Sequence, residues 1–190
     1  MSDMIERSIV GSPTLTPPQA HDAERSVLAA MMLDESAIGR AIESLDASAF
    51  YRTAHAKLYD AIKALYTNST PADLITVSEE LTRRGELEMV GGPAFLAQIM
   101  EYATTTANIE QHIRIVHSKS VLRLLIKATQ EIQQQCYAGA EETAEILDQS
   151  EARIFGITDN RIRSGFHQVK DLLSPAFKNI EALFDRKALV

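Results

Sequence analysis

Apolar residues recur at intervals of three or four along most of the chain, which is the spacing of one face of an α-helix. This pattern predicts a first helix from His21 to Leu33 and a short second helix directly after it. A third helix begins near Thr53, whose hydroxyl can serve as the N-cap. Only the short segment DLITV resembles a strand. The sequence therefore predicts an all-α fold.

Helix boundaries are also marked by the residues that flank the apolar segments. In TVSEELTRRG, Thr76 and Glu79 have the spacing of a capping box, and Gly85 stands where a helix ends in a left-handed residue. In GGPAFLAQIM, two glycines allow a sharp turn and Pro93 occupies the first helical position. Two further helices are therefore expected, one ending near Gly85 and one beginning at Pro93.

A long segment without glycine or proline follows, and it predicts one helix over residues 107–137. At 1.5 Å per residue this helix is roughly 46 Å long, which is longer than most helices of a compact domain. After Gly139, apolar residues again recur at helical spacing, with Leu147, Ile154 and Phe155 among them. The two helices can fold back on each other, so a helical hairpin is expected.

The final segment, SPAFKNIEALFDRKALV, predicts a separate helix with Ser174 as its N-cap. Phe177, Ile180 and Phe184 form an apolar stripe along it, and Leu183 lies at the edge of this stripe. A helix of about 13 residues is not stable alone in water, so the stripe needs a covering surface. That surface is either the chain's own domain, another subunit or a domain outside this chain.

These elements predict a globular helical domain followed by a long helical hairpin and a separate C-terminal linker helix. The expected boundaries are a flexible N-terminal arm over 1–16, the globular domain over 17–105, the hairpin over 106–157, a polar linker over 158–173 and the linker helix over 174–190.

Charge is unevenly distributed along the 190 residues, whose net charge is −7 at pH 7. Residues 1–159 carry 13 Lys and Arg against 23 Asp and Glu, whereas residues 160–190 carry 6 against 3. An acidic body repels phosphate backbones, so we expect no direct nucleic-acid binding by this region. No apolar segment is long enough to span a bilayer, so no membrane association is expected. The single cysteine, Cys136, fits a reducing compartment and predicts a cytoplasmic protein.

Candidate catalytic and ligand-binding residues are scarce. None of the eight glycines precedes a lysine, so the chain lacks the loop with which P-loop proteins bind ATP. His112 and His117 are five residues apart on a helix and point roughly 140° apart, which is unsuitable for a shared metal. His55 lies on an apolar face and is expected to be a hydrogen-bonded core residue. We therefore predict no catalytic, cofactor or metal site in this chain.

Unpaired apolar surface is the more informative feature. In the long helix the apolar residues span an arc of roughly 200°, more than one antiparallel neighbour covers. Either the hairpin lies back on the globular domain, or Leu122 and Ile126 contact another chain. Ile132 in the same arc and Phe95 in the globular domain are further candidates for a protein interface.

A series of segments, together, resembles the N-terminal part of the bacterial replicative DNA helicases of the DnaB family. The resemblance extends from about Pro17 to about Phe184 and departs from the family pattern at YATTTANI and after Cys136. The segments that carry it are PPQAHDAERSVLAAMMLD, FYRTAHAKLYDAI, DLITVSEEL, GELEMVGGPAFLAQI, ANIEQHIRIV, VLRLLI and SEARIFGI.

The resemblance implies that the chain is the collar and linker of a hexameric ring helicase. The collar would join subunits into a homo-oligomer and dock primase, and the linker helix would pack on the motor domain of a neighbouring subunit. ATP and Mg²⁺ would bind a RecA-like motor that normally begins just after the position of Val190, and a helicase loader is a further expected partner. The chain itself would then be non-catalytic, since the motor carries the ATPase.

Two other classes stay open at this point. The first is an autonomous all-helical adaptor or regulatory protein, which would share the shape of the collar without belonging to a helicase. The second is a small enzyme with an unrecognised site, which would require a deep polar pocket.

Overall fold

The computed structural model describes residues 16–102, 108–139 and 142–162, and every regular element in these ranges is helical. This confirms the predicted all-α fold. The elements in chain order are α1 (His21–Leu33), α2 (Glu35–Ser44), a 3₁₀ turn (Ala47–Ala49), α3 (Thr53–Thr67), α4 (Leu74–Arg83), α5 (Leu87–Val90), α6 (Gly92–Glu101), α7 (Ile109–Ala138) and α8 (Thr143–Ile162).

Helix α1 lies at the centre of the globular domain and contacts α2, α3, α6 and α7. Its run from Val27 to Met32 is buried without interruption. A helix that is apolar on nearly all sides is covered by neighbours on nearly all sides, and the alanines of this run let those neighbours approach closely. The sequence of α1 thus explains its central position.

Helix α3 begins at Thr53, as predicted, but Thr53 is not its N-cap. The N-cap position belongs to Arg52, and no side chain of the segment caps the helix. Thr53 is already the first helical residue, so its hydroxyl cannot bond back to the free N–H groups of the first turn. A carboxylate from α1 lies at this helix end instead: Glu24 Oε1 accepts a hydrogen bond from the N–H of Tyr51 at 2.8 Å.

Helix α4 begins one turn earlier than the proposed capping box implies. The box consists of Asp73 and Thr76, not of Thr76 and Glu79. Asp73 Oδ1 accepts the N–H groups of Ile75 and Thr76, both at 2.9 Å. The segment DLITV therefore forms the first turn of a helix, because a strong N-cap outweighs the weak strand preference of its branched residues. Gly85 is left-handed after this helix, as predicted.

The turn between α5 and α6 forms at Gly91 and Gly92, as the sequence predicts. Gly91 has a φ of +114°, and a Cβ built there would lie 3.1 Å from Cβ of Phe95. A larger residue at position 91 would therefore strain the backbone and displace Phe95. Pro93 is the second residue of α6 rather than the first, but it lies in the first turn, where its missing N–H does no harm.

Helix α7 confirms the predicted long helix, with 30 residues ending at the left-handed Gly139. Its first half packs into the globular domain through Ile109, Ile113 and Val116, all of which are buried. Its second half projects and packs against α8 to form the hairpin. Helix α8 continues to Ile162, so the first residues of the segment that we predict as a linker are helical. This extension adds a full turn to the hairpin.

Candidate protein-interaction surfaces

The projecting part of α7 carries the two residues that the sequence singles out most strongly. Leu122 and Ile126 lie one helical turn apart, and each is 42% exposed. Ala128 on the same helix is buried, and Val121 and Leu125 are half-buried. Within the described part of the chain the hairpin thus leaves Leu122 and Ile126 accessible. Whether another chain covers them stays a prediction.

Near the tip of the hairpin the two helices are joined by polar contacts. The amide of Gln135 donates to Gln149 Oε1 at 3.0 Å, and Arg153 Nη1 donates to Gln135 Oε1 at 2.7 Å. Arg153 Nε also lies 4.0 Å from the carboxylate of Glu131. These contacts fix the register of the hairpin. Ile132 in this region is half-buried, so it offers less surface to a partner than Leu122 does.

Phe95 lies on α6 of the globular domain, on a different element from the hairpin candidates. Its ring is half-buried and stacks on His55, with the ring centroids 5.8 Å apart. The ring borders a cleft that also contains Arg25, Arg52 and Tyr102. Arg25 Nη1 donates to the Tyr102 hydroxyl at 2.7 Å and its guanidinium lies over the Tyr102 ring. The cleft thus combines aromatic and cationic groups around one half-buried ring.

An apolar groove between α4 and α6 is a surface that the sequence reading did not single out. Leu74, Ile75, Pro93 and Leu96 line it. Ile75 is 76% exposed. The exposed position of Ile75 could have been found from the helical wheel of α4, once the helix is started at Leu74. Phe177, Ile180, Leu183 and Phe184 of the predicted linker helix lie outside the described residues.

His55 is a hydrogen-bonded core residue, as predicted. Its Nδ1 lies 2.6 Å from Oε2 of Glu24, and both side chains are buried. Burial alone would raise the pKa of Glu24, but the hydrogen bonds from His55 and from the N–H of Tyr51 outweigh it and hold that pKa below its ordinary value. Sequence reasoning missed Glu24, although it lies three residues before Val27 on the apolar face of α1.

Arg123 is a second residue whose long-range contacts the sequence does not reveal. Nη1 donates to the carbonyl of Pro18 at 2.8 Å and Nη2 to the carbonyl of Ala49 at 2.6 Å. The guanidinium also lies 5.7 Å from the ring centroid of Tyr51. The available signal was its position in VLRLLI, where a lone charge interrupts an apolar run and therefore requires a buried partner.

The charged cluster at the end of α4 is structural. Glu80 accepts hydrogen bonds from Arg83 and Arg84, which hold its pKa at about 2. These two arginines are thus paired with Glu80 at the end of α4. Among the described residues, no group of three or more His, Cys, Asp or Glu side chains is placed to hold a metal ion. No helix of the described ranges is both long and apolar enough to cross a membrane.

The architecture defines a class of protein: an all-α globule built around a buried helix, with a projecting hairpin and exposed apolar residues. Residues 16–118 match the family model described as DnaB-like helicase N terminal domain. Because this match covers more than half of the 190 residues, the chain belongs to the DnaB family of replicative helicases, through its N-terminal domain.

Individual relatives agree with this assignment. The replicative DNA helicase DnaB of Mycobacterium leprae is 39% identical over 169 residues, which is 88% of this chain and 28% of that protein. The replicative DNA helicase DnaC of Bacillus subtilis is 39% identical over 171 residues, 90% of this chain and 38% of that protein. This chain thus spans less than two fifths of the length of either relative.

A solved structure matches the fold as well as the sequence. It is the crystal structure of the N-terminal domain of DnaB helicase from Mycobacterium tuberculosis, with 42% identity and a TM-score of 0.71. The match covers 74% of this chain and 99% of that chain. The described globule and hairpin are therefore the N-terminal domain fold of this family.

Proposed function

We propose that this chain is the collar and linker region of a replicative hexameric DNA helicase, in which it joins subunits into the ring and docks primase during DNA replication. The observation that carries the proposal is the pair Leu122 and Ile126, each of which is 42% exposed on the part of α7 that projects beyond Ser120. Two leucine-sized side chains one turn apart on a projecting helix form a small apolar surface that a second hairpin can bury.

The chemistry of the chain supports a scaffold rather than an enzyme. The sequence contains no glycine followed by lysine, and the described carboxylates with shifted pKa values are explained by caps and ion pairs. We propose that ATP and Mg²⁺ bind a RecA-like motor outside this region, and that unwinding resides there. The isolated chain is then expected neither to hydrolyse ATP nor to unwind DNA. We propose that the protein acts in the cytoplasm.

Primase is proposed to dock on the collar, with Phe95 as a candidate contact on the globular domain. Its half-buried ring is held by the stack on His55, so a partner could pack on the remaining surface without ordering a free side chain. A helicase loader and, through the linker helix, the motor domain of a neighbouring subunit complete the proposed set of partners.

The docking proposal is tested by titrating this chain with the primase of the same organism in a calorimeter. We expect saturable binding by the parent chain and at least tenfold weaker binding by Phe95→Asp, because a charge would enter an apolar contact. The matched control is Met89→Asp, which places the same charge on another exposed apolar position of the globule, outside the groove between α4 and α6. Equal binding by Phe95→Asp and the parent would remove Phe95 from the interface, and no binding by the parent would contradict primase docking.

A further inference from the structure

The side chain of Arg123 joins the base of the hairpin to the globular domain. Ser120 is the last buried residue of α7 before the helix projects, and Arg123 follows one turn later. Arg123 donates to the carbonyls of Pro18 and Ala49, which are 105 and 74 residues away in the sequence. The base of the hairpin is thereby bonded both to the segment before α1 and to the segment before α3.

The segment before α3 is held from its other side by Glu24. The N–H of Tyr51 donates to Glu24 Oε1 at 2.8 Å, and Tyr51 is two residues after Ala49, the acceptor of Arg123. The carboxylate is in turn fixed by His55 Nδ1 at 2.6 Å. Residues 49–51 are therefore held between a buried carboxylate on α1 and a half-buried guanidinium on α7.

The opposite charges of Glu24 and Arg123 also attract each other across residues 49–51. Burial lowers the pKa of the Arg123 guanidinium, and the negative charge of Glu24 opposes that effect. The aromatic ring of Tyr51 lies beside Arg123, with 5.7 Å between the guanidinium carbon and the ring centroid. A guanidinium at an aromatic ring gains a further attraction that depends on its charge.

Packing at the base of the hairpin leaves a cleft beside these bonds. A cleft of about 350 Å³ lies between the 45–49 segment and the face of α7 that carries His117, Ser120 and Val121. Charged and polar side chains, including Asp46 and Lys63, border this cleft. Packing beside residues 45–49 is therefore incomplete, and the hydrogen bonds of Arg123 add to the apolar contacts that join α7 to this segment.

We propose that Glu24 and Arg123 form a charge-dependent joint that fixes the direction in which the hairpin leaves the globular domain. When Glu24 loses its charge, its hydrogen bond to the N–H of Tyr51 weakens, because hydrogen bonds to ionised acceptors are the stronger ones. Arg123 also loses the negative charge that faces it across residues 49–51. The projecting part of α7 then bends by varying amounts beyond Ser120, and α8 moves with it, while the first half of α7 stays packed in the core. This role concerns the shape of the chain and does not depend on the identity of any partner.

The joint is tested by measuring a distance across it with paired spin labels. One label is attached to the native Cys136, which is exposed near the hairpin tip, and the other to Glu79→Cys, an exposed site on α4. Labelled chains are diluted with unlabelled Cys136→Ser chains, so that only distances within one chain are recorded. Pulsed electron paramagnetic resonance then gives the distribution of the distance between the two labels. The width of this distribution reports the range of hairpin directions.

The parent is expected to give one narrow distribution. Glu24→Gln and Arg123→Gln should each widen it at least about twofold, and the double variant should be no wider than Arg123→Gln, because both changes break one linkage. Arg114→Gln is the matched control: it is exposed on the same helix and its Nε donates to the carbonyl of Glu110 within α7. Its distribution should equal that of the parent.

Arg123→Lys should give an intermediate width, since a single ammonium cannot reach both carbonyls with the geometry of the guanidinium fork. If Glu24→Gln fails to fold, as judged by circular dichroism, the two Arg123 variants decide the question. An unchanged width in Arg123→Gln would overturn the proposal. So would a double variant in which the two broadenings add, because Glu24 and Arg123 would then act independently.

Discussion

Glu24 of α1 and His55 of α3 lie 31 residues apart in the sequence, yet Oε2 of the first is 2.6 Å from Nδ1 of the second, and both side chains are buried. The carboxylate also accepts the N–H of Tyr51 at the start of α3. Because an anion near a helix N-terminus is stabilised by the helix dipole, the carboxylate of Glu24 also lies favourably beside the start of α3. Two helices of the core are thereby joined by polar as well as apolar contacts.

Replacing His55 by alanine should destabilise the domain by about 3 kcal/mol, because Glu24 would stay buried without its side-chain partner. The measurement is the free energy of unfolding from a urea titration. His112→Ala is the control, since His112 is a half-buried histidine on α7, and it should cost less than about 1 kcal/mol. Equal losses in the two variants would mean that the pair contributes no more than an ordinary surface contact.

Lowering the pH should remove the stabilisation that the ionised carboxylate of Glu24 gives to the fold. The pKa of Glu24 in the folded chain is below the unfolded value of 4.5. The stabilisation is therefore fully present above about pH 4.5 and is lost as the pH falls through the folded pKa. We expect the free energy of unfolding of the parent to fall more steeply below about pH 4.5 than that of Glu24→Gln. Parallel curves for the two proteins would contradict the assignment of a charged Glu24.

Two substitutions at the start of α4 distinguish the observed capping box, Asp73 with Thr76, from the box that spacing alone predicts, Thr76 with Glu79. Asp73→Ala should cost about 1 kcal/mol, because two backbone N–H groups lose their acceptor. Glu79→Ala should cost at most about 0.5 kcal/mol, since Glu79 is exposed and belongs to the second turn. Thermal unfolding of the two variants side by side provides the comparison. A larger loss for Glu79→Ala would restore the capping box that begins at Thr76.

The proposed linker helix gives a prediction for the proposed helicase ring. Phe177→Ala combined with Phe184→Ala should weaken the ring, because each phenylalanine that is buried on a neighbour contributes about 2 kcal/mol and the contact repeats around the ring. The hexamer fraction against protein concentration measures this effect. Hydrogen exchange on the present chain is the companion experiment: strong protection of residues 175–187 in a monomer would mean that the helix packs on its own domain.

Much of the fold could be predicted because its signals are local. The 30-residue α7 follows from a segment without glycine or proline, and its end follows from Gly139. Spacing alone predicts the wrong cap for α4, because Asp73 and Thr76 both begin acceptable local patterns and spacing does not rank them. Glu24 and Arg123 could not be assigned partners, because their bonds join segments 27 to 105 residues apart. The exposed apolar surface of the hairpin is predictable from the excess of apolar residues in α7, but the sequence does not show which protein would contact it.

The central claim is that the exposed hairpin residues join subunits. The most direct test is the molar mass of the chain by light scattering after size exclusion, compared with that of Leu122→Asp combined with Ile126→Asp. Ile75→Asp combined with Met89→Asp is the control, since these two residues are also exposed apolar side chains but lie on the globular domain. We predict an oligomer for the parent and for the control, and a folded monomer for the hairpin variant. A hairpin variant that keeps the mass of the parent, with unchanged helicity, would contradict the account.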